Sequence, residues 1–391
     1  MSPSLRRVFL LGSTGSIGTS ALEVVRFQAS RSTQRFEVVG LAAARNGSSL
    51  AAQAREFSAQ AIAIAQPAVG GPLDVPSSTR VFSGAQAACE MLRAYARRGD
   101  LVVAAMVGAA GIEPVLGAIE LGCDIALANK EALVAAGAIV MPAAAKAGVR
   151  IIPVDSEHNA LFQCLKGSNS LDEVRRVVLT ASGGPFRGKS IAEMSRVTVA
   201  DALAHPTWRM GPKVTVDSAS LMNKALELIE AHWLFGLGAD RIEAIIHPQS
   251  IVHGFVEYID GSVLAQLSPP DMRTPIQQAM CDPLRVEGPS RKLDFATLRG
   301  LEFEPINHEQ FPAVSLAHRV IATGGSAGAV LNAANEVAVQ AFLDGTIAFT
   351  EIVAIVRGTL DRASIKPIAT LADVHSADAD ARRCAQSLIR A

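Results

Sequence analysis

The sequence has no excess of charge of either sign: 36 lysines and arginines face 37 aspartates and glutamates, for a formal net charge of -1. A chain so balanced has no electrostatic hold on nucleic acid or an anionic membrane, and neither is expected as a partner. Any anionic small molecule must be caught by a local site. Cysteines are few and scattered: Cys89, Cys123, Cys164, Cys281 and Cys384 are odd in number and never form C-x-x-C. That argues against a disulfide framework or a thiolate zinc site and favours a reducing, cytoplasmic setting. Long apolar runs are also lacking. The longest, around residues 101–112 and 132–145, are too short to span a bilayer and carry Gly or Pro. Arg6 and Arg7 ahead of residues 8–11 imitate the start of a signal peptide, but the apolar run ends at once in a glycine-rich turn and reads as a strand. No internal repeat or low-complexity tract is evident.

What is present is globular. Hydrophobic residues make up 49% and charged residues 19% of a 391-residue chain, which predicts two or three domains. Up to residue 154, short apolar runs (8–11, 37–41, 61–65, 101–105, 124–128, 150–154) alternate with helical stretches such as 19–27, 113–121 and 131–147. Buried strands separated by helices imply an α/β, Rossmann-like, doubly wound parallel sheet over residues 1–154. From 155 to 282 the texture changes to strand-like runs at 176–180, 244–247, 251–258 and 262–267 with a helix at 219–235, an α+β domain with a more antiparallel sheet. Residues 283–308, with Pro283, Gly288, Pro289 and Pro305, read as a linker, and residues 309–391 as a C-terminal helical bundle. Within it, Thr350 is a candidate cap, and Ser376 precedes acidic Asp378 and Asp380 and basic Arg382 and Arg383.

The first strand runs into Gly12-Ser13-Thr14-Gly15-Ser16-Ile17-Gly18 and then a helix. Glycines at such a turn admit a pyrophosphate, whose charge the free amides of the helix start can bind. The spacing is G-x-x-G-x-x-G rather than G-x-G-x-x-G, so a plain tight turn stands beside the nucleotide reading. The second strand ends in Ala42-Ala43-Ala44-Arg45-Asn46, where an NAD enzyme usually places an acidic residue. An arginine there can pair with a 2′-phosphate, predicting NADPH over NADH; the alternative is a solvated surface arginine. Asn129-Lys130-Glu131 lies beyond the fifth strand, where ligands of open α/β sheets bind, although Asn129 can also be read as a simple helix cap.

Asp155-Ser156-Glu157-His158-Asn159 follows the strand at 150–154. In an extended segment residues two apart point the same way, so Asp155 and Glu157 can converge on one cation, and no basic residue lies near them in sequence. An exposed acidic loop is the plainer alternative. The stretch 217–227 reads as a helix capped by Asp217 or Ser218, with Asn223, Lys224 and Glu227 on one face, which is also the pattern of an ordinary surface Lys–Glu pair. The carboxylates of Asp155, Glu157 and Glu227 suit a hard ion such as Mg²⁺ or Mn²⁺. Ser182-Gly183-Gly184 ends a strand and can offer donors to a phosphate. His205-Pro206-Thr207-Trp208 to Gly211 forms a loop suited to closing over a substrate, unless Trp208 simply packs inward. His247-Pro248-Gln249-Ser250 is a weaker candidate, since His247 reads equally well as a structural histidine.

Taken together, the segments 12–18, 129–131, 154–159, 182–186, 205–211, 216–224, 247–250, 265–275 and 331–336 resemble the 1-deoxy-D-xylulose 5-phosphate reductoisomerase family, in family order, over nearly the whole chain. The resemblance implies an NADPH-dependent oxidoreductase that rearranges and reduces 1-deoxy-D-xylulose 5-phosphate to 2-C-methyl-D-erythritol 4-phosphate on the non-mevalonate route to isoprenoids. It implies a divalent metal (Mg²⁺, Mn²⁺ or Co²⁺) on Asp155, Glu157 and Glu227, with Lys130 and His205 beside them as catalytic residues. The sugar phosphate would be held by Lys130, Ser156, Glu157, Ser182, His205, Trp208, Ser218, Asn223, Lys224, Glu227, Ser250 and Met272. NADPH would meet Thr14, Gly15, Ser16, Ile17, Ala44, Arg45, Asn46, Asn129, Glu131 and Gly211. A homodimer and inhibition by fosmidomycin are further implications. The competing enzymatic reading, a semialdehyde-type NADP-dependent dehydrogenase, needs a cysteine nucleophile; a non-catalytic NADPH sensor needs none of the three carboxylates.

Overall fold

A computed structural model describes residues 5–31, 34–67, 73–208 and 210–390. The chain forms two compact units. The first comprises Met1–Ala132, Val140–Asn159 and Asp271–Arg291, and the second Leu133–Ile139, Ala160–Pro270 and Lys292–Ala391. The segment 155–282, drawn as one domain from sequence texture, contributes to both.

The first unit holds seven parallel strands: β1 (Leu5–Leu11), β2 (Arg35–Ala43), β3 (Ala61–Ile64), β4 (Arg80–Ser83), β5 (Leu101–Ala104), β6 (Asp124–Leu127) and β7 (Ile151–Pro153). Their order is β4-β3-β2-β1-β5-β6-β7, so the chain winds one way from β1 and then the other. This is the doubly wound, Rossmann-like sheet expected from the sequence, and the β1/β5 crevice is its topological switch point. Strands β3 and β5 are buried along their full length, because helices cover both faces and apolar runs need no alternation. The edge strand β4 escaped the sequence reading since only Phe82 of its four residues is buried. The helix Arg273–Cys281 returns to this unit and ties to the helix Ser16–Ala29 by an Arg273–Glu23 ion pair at 3.2 Å.

The second unit contains a mixed sheet of β8 (Val174–Ala181), β9 (Ile242–Ile246), β10 (Val252–Tyr258) and β11 (Val263–Leu267), in the order β11-β10-β8-β9. Strands β8 and β9 are parallel, and the other pairs antiparallel. Helices Met222–Phe235, Ala313–Thr323, Ala327–Leu343, Glu351–Arg362 and Leu371–Ile389 complete this unit around one core. Phe349 sits edge-on to both Phe186 and Phe342, with ring centroids 4.8 and 5.7 Å away. The Ala-rich composition has its use here: Ala327–Leu343 is buried over most of its length, and a Cβ on Gly328 would lie 2.0 Å from the Val134 carbonyl oxygen.

Three local expectations need correction. The single helix expected at 131–147 is two, Glu131–Val134 and Gly137–Ala147. At the restart a Cβ on Gly137 would lie 2.4 Å from the Trp233 ring, a close approach that periodicity does not reveal. The last helix starts at Leu371 rather than after Ser376; Thr370 and Asp373 form a capping box, while Asp378 takes the guanidinium of Arg382 at 2.7 Å. Thr350 stands at a helix N-cap but makes no capping bond; Glu351 accepts the Ala348 amide at 2.6 Å instead. Among the described residues no helix is long and apolar enough to cross a membrane.

Candidate active site

In the first unit, the turn after β1 is shaped by two glycines that admit no side chain. Gly12 has φ +92°, and a Cβ there would lie 2.4 Å from the Ala105 carbonyl oxygen; one on Gly18 would lie 2.3 Å from the Gly12 oxygen. The Gly12 and Ser13 amides both bond to Ala42 O, at 2.9 and 2.8 Å. The helix then starts at Ser16 with Gly15 as an extended N-cap that makes no side-chain bond, so the first-turn amides have no intrahelical partner. A cradle too tight for a Cβ, followed by open amides and a positive helix end, fits a pyrophosphate. Beyond β2, Ala44, Arg45 and Asn46 are exposed. Arg45 Nε bonds Gln66 Oε1 at 2.7 Å, and Asn46 caps the helix Gly47–Glu56 through Ser49 N at 3.1 Å. Asn129, by contrast, is buried: its amide nitrogen donates to Met106 O at 2.5 Å and Gly108 O at 3.0 Å, and its oxygen accepts Ala132 N at 2.8 Å. It holds the strand-end loop beyond β5 as well as capping the next helix. Glu131 is buried beside it, accepting from the Asn129 amide at 3.2 Å.

The carboxylate segment lies at the end of β7, but it is not extended. Asp155 immediately precedes the helix Ser156–Leu165, and Glu157 stands in its first turn. Helical rather than alternating geometry therefore sets the directions of the two side chains, and their negative charge complements the helix N-terminus. The absence of basic neighbours in sequence does not hold in space: Lys130 Nζ lies 2.8 Å from Asp155 Oδ2. Ser156 Oγ donates to Glu157 Oε2 at 2.5 Å, and Asn159 anchors the helix on Pro153 O at 2.8 Å and Gln278 Oε1 at 2.7 Å. Met272 stands half-buried at the N-cap of Arg273–Cys281.

In the second unit, three of the expected residues converge. His205 Nε2 lies 3.1 Å from both Ser182 Oγ and Ser218 Oγ. Its Nδ1 accepts backbone amides from Thr207 at 3.1 Å and Trp208 at 2.9 Å, which curls the loop back on the ring. A nitrogen facing two N–H donors cannot itself carry a proton, so the ring is the neutral Nε2–H tautomer. Burial independently lowers the His205 pKa from its ordinary value. The result is a neutral donor between two hydroxyls, a set suited to a phosphate dianion. Trp208 is half-buried and Gly211 exposed; Arg209 lies outside the described residues.

Asp217 and Ser218 do not cap the following helix, as spacing suggested. They sit at the end of a separate helix, Pro212–Ala219, started by proline at its first position. Leu221, at φ +56°, breaks the chain between that helix and Met222–Phe235. Asn223 and Lys224 do share a face with Glu227, and both donate to it. The Lys224–Glu227 pair is buried, not a solvated surface pair. Asp217, given no role from sequence beyond capping, is buried, accepts from Asn335 at 2.8 Å and forms an ion pair with Lys213 at 3.1 Å. The i, i+4 spacing of Lys213 and Asp217 was the available signal. Ser250 is buried with φ +50°. His247 is structural, with Nδ1 2.8 Å from Glu302 O and Nε2 accepting Ile251 N at 3.2 Å.

The carboxylate donors are oxygens only, which suits a hard divalent ion, and both Asp155 and Glu227 carry a lysine ammonium, so each tolerates a cation against it. The buried cysteines are poorly placed to act as nucleophiles. Four of the five are buried, and burial pushes the Cys123 and Cys281 thiols up to about 12 and raises that of Cys89.

Comparison with known proteins shows the family. Residues 8–137 match the model of 1-deoxy-D-xylulose 5-phosphate reductoisomerase, residues 151–235 its C-terminal domain, and residues 267–384 the DXP reductoisomerase C-terminal domain. A 1-deoxy-D-xylulose 5-phosphate reductoisomerase of Rhodococcus jostii is 51% identical over 387 residues, covering 98% of this chain and 94% of that protein. The chain belongs to the 1-deoxy-D-xylulose 5-phosphate reductoisomerase family. A second relative in the family, from Zymomonas mobilis, is 45% identical over 98% of both chains. Among solved members, a Zymomonas mobilis reductoisomerase in complex with NADPH superposes with a TM-score of 0.91 at 44% identity, covering 99% of this chain and all of that one. A DOX-P reductoisomerase in complex with NADPH, fosmidomycin and magnesium gives 0.89 at 37% identity over 98% of each chain. Family membership does not favour the semialdehyde dehydrogenase alternative.

Proposed function

We propose that the chain catalyses the NADPH- and divalent-metal-dependent rearrangement and reduction of 1-deoxy-D-xylulose 5-phosphate to 2-C-methyl-D-erythritol 4-phosphate, a step of non-mevalonate isoprenoid biosynthesis. What carries this reading is the likeness, over nearly the whole chain, to solved proteins that hold NADPH, fosmidomycin and magnesium. When bound, NADPH supplies the hydride and the divalent cation polarises the substrate's carbonyl and hydroxyl oxygens, assisting retroaldol cleavage, re-addition and reduction.

The residues of this chain do the rest. Asp155, Glu157 and Glu227 are the metal-ligating carboxylates in this proposal, and Lys130 and Ser156 contact the substrate near them. Ser182, Ser218, Asn223 and Lys224 hold the phosphate and nearby hydroxyls. His205, kept neutral, donates a hydrogen bond without adding a titrating charge, and Trp208 on the same loop excludes water. Ser250 and Met272 complete the substrate contacts. Thr14, Gly15, Ser16 and Ile17 take the pyrophosphate, Ala44, Arg45 and Asn46 the adenosine end, and Gly211 a further cofactor contact. Asn129 and Glu131, being buried, shape the loop that the cofactor meets.

A homodimer and a cytoplasmic location belong to the same proposal. The edge strand β11 leaves Val263 and Leu264 exposed, as a strand awaiting a partner does, and the free cysteines suit a reducing compartment. The test is NADPH oxidation with 1-deoxy-D-xylulose 5-phosphate after EDTA treatment, with and without added Mg²⁺ or Mn²⁺. Metal-dependent oxidation yielding 2-C-methyl-D-erythritol 4-phosphate is expected; none from folded, NADPH-binding protein would overturn the reading.

A further inference from the structure

We infer that a buried side-chain pair, Ser13 with Gln53, is the positioning element that lets the nucleotide site favour NADPH over NADH. The inference rests on the cofactor reading given above. Ser13 lies in the turn between β1 and the helix Ser16–Ala29 and is fully buried. Its hydroxyl donates to Gln53 Oε1 at 2.8 Å, and Gln53 Nε2 donates back to the Ser13 carbonyl at 3.0 Å. Each partner thus fixes the other's rotamer, and the turn is joined side on to the helix Gly47–Glu56.

That helix is the one whose N-terminus presents Asn46 and follows Arg45. Residues 42–53 are therefore pinned at both ends. At one end the Gly12 and Ser13 amides hold Ala42 O; at the other, Gln53 holds Ser13. Only the second pin is made by a side chain distant in sequence. Gln53 also stands among Leu50, Ala51 and Ala54 on the buried side of its helix, where an apolar residue would ordinarily serve. A neutral buried pair adds little net stability over an apolar replacement, so its value lies in geometry.

NADPH meets this frame at two places, the pyrophosphate turn and the 2′-phosphate end at Arg45. NADH lacks the second. If the pair sets the separation of the two anchors, breaking it weakens NADPH more than NADH; a merely structural pair weakens both alike. Gln53→Leu removes both bonds at similar volume, and Ser13→Ala removes the hydroxyl bond alone. The measurement is the dissociation constant of each nucleotide for the purified full chain by calorimetry, with circular dichroism and melting as the check on folding.

For Gln53→Leu the NADPH constant is expected to rise about tenfold and that for NADH less than about twofold, lowering the preference ratio accordingly. Ser13→Ala shifts the ratio in the same direction by less, and decides the matter if Gln53→Leu does not fold. An unchanged ratio in a folded variant overturns the inference. A wild-type chain that binds both nucleotides equally overturns instead the assignment of Arg45 to a 2′-phosphate, before any variant is made.

Discussion

Glu227 and Lys224 are both almost wholly buried, with 2% and 3% of their side chains exposed, and they pair directly on one helix face. Glu227→Gln keeps shape and volume, so no cavity opens, yet it takes away the carboxylate that the buried Lys224 ammonium faces. Removing one partner of a buried ion pair costs about 3–5 kcal/mol, chiefly for the charge left behind. Lys224→Met removes the ammonium from the buried carboxylate in the same way, softened by the Asn223 amide that still donates to it. The double variant Lys224→Met/Glu227→Gln buries no charge and is expected within about 1 kcal/mol of the wild type. Urea denaturation followed by tryptophan fluorescence reads this well, because the only tryptophans are Trp208 and Trp233, and Trp233 is on the same helix as the pair. Catalysis separates the two roles: all three variants lose NADPH oxidation, while the double variant alone regains stability. If the losses of the single variants simply add in the double, or if either single variant costs less than about 1 kcal/mol, the pair is not coupled as described.

Three further outcomes follow from the same structure. His205 should titrate below the ordinary histidine range, as the Nε2–H tautomer in imidazole NMR; a midpoint at or above 6.5 refutes the assignment. Because its folded pKa is depressed, the unfolded chain takes up the proton first, so His205 costs nothing above that range and disfavours the fold as pH falls through it. At mildly alkaline pH a thiol reagent should label native protein rapidly at Cys384 alone, since the other four cysteines are buried; fast labelling of Cys123 or Cys281 would contradict their raised pKa values. Gly18→Ala should lose NADPH binding and about 1–3 kcal/mol of stability, because the added methyl meets backbone atoms of Gly12 and Ser13 that cannot yield; NADPH binding at wild-type strength would show that the turn is looser than the geometry here.

Much of the fold was legible along the chain. Apolar runs too continuous for alternation marked β1, β2, β3, β5, β6 and β7, since strands covered on both faces need no polar side. The edge strand β4 was silent for the opposite reason. Residue type indicated the kinds of group at the candidate site: a glycine-rich turn, an arginine where an acid is usual, and hard oxygen donors. Local geometry was less legible. Asp155 and Glu157 were placed on a strand-like segment, and Asp217 and Ser218 at a cap, because spacing does not show where one helix stops and the next begins. The left-handed Leu221 and the helix start at Ser156 settle both.

Sequence alone, then, determined the layer architecture and the kinds of group available, because periodicity and side-chain chemistry are local properties. Partners distant along the chain were decided only by the tertiary fold: Lys130 on Asp155, His205 between Ser182 and Ser218, and Gln53 under the nucleotide turn. Hydrogen bonds and ion pairs act over a few ångströms, and nothing in a linear pattern encodes which residues packing will bring within that reach.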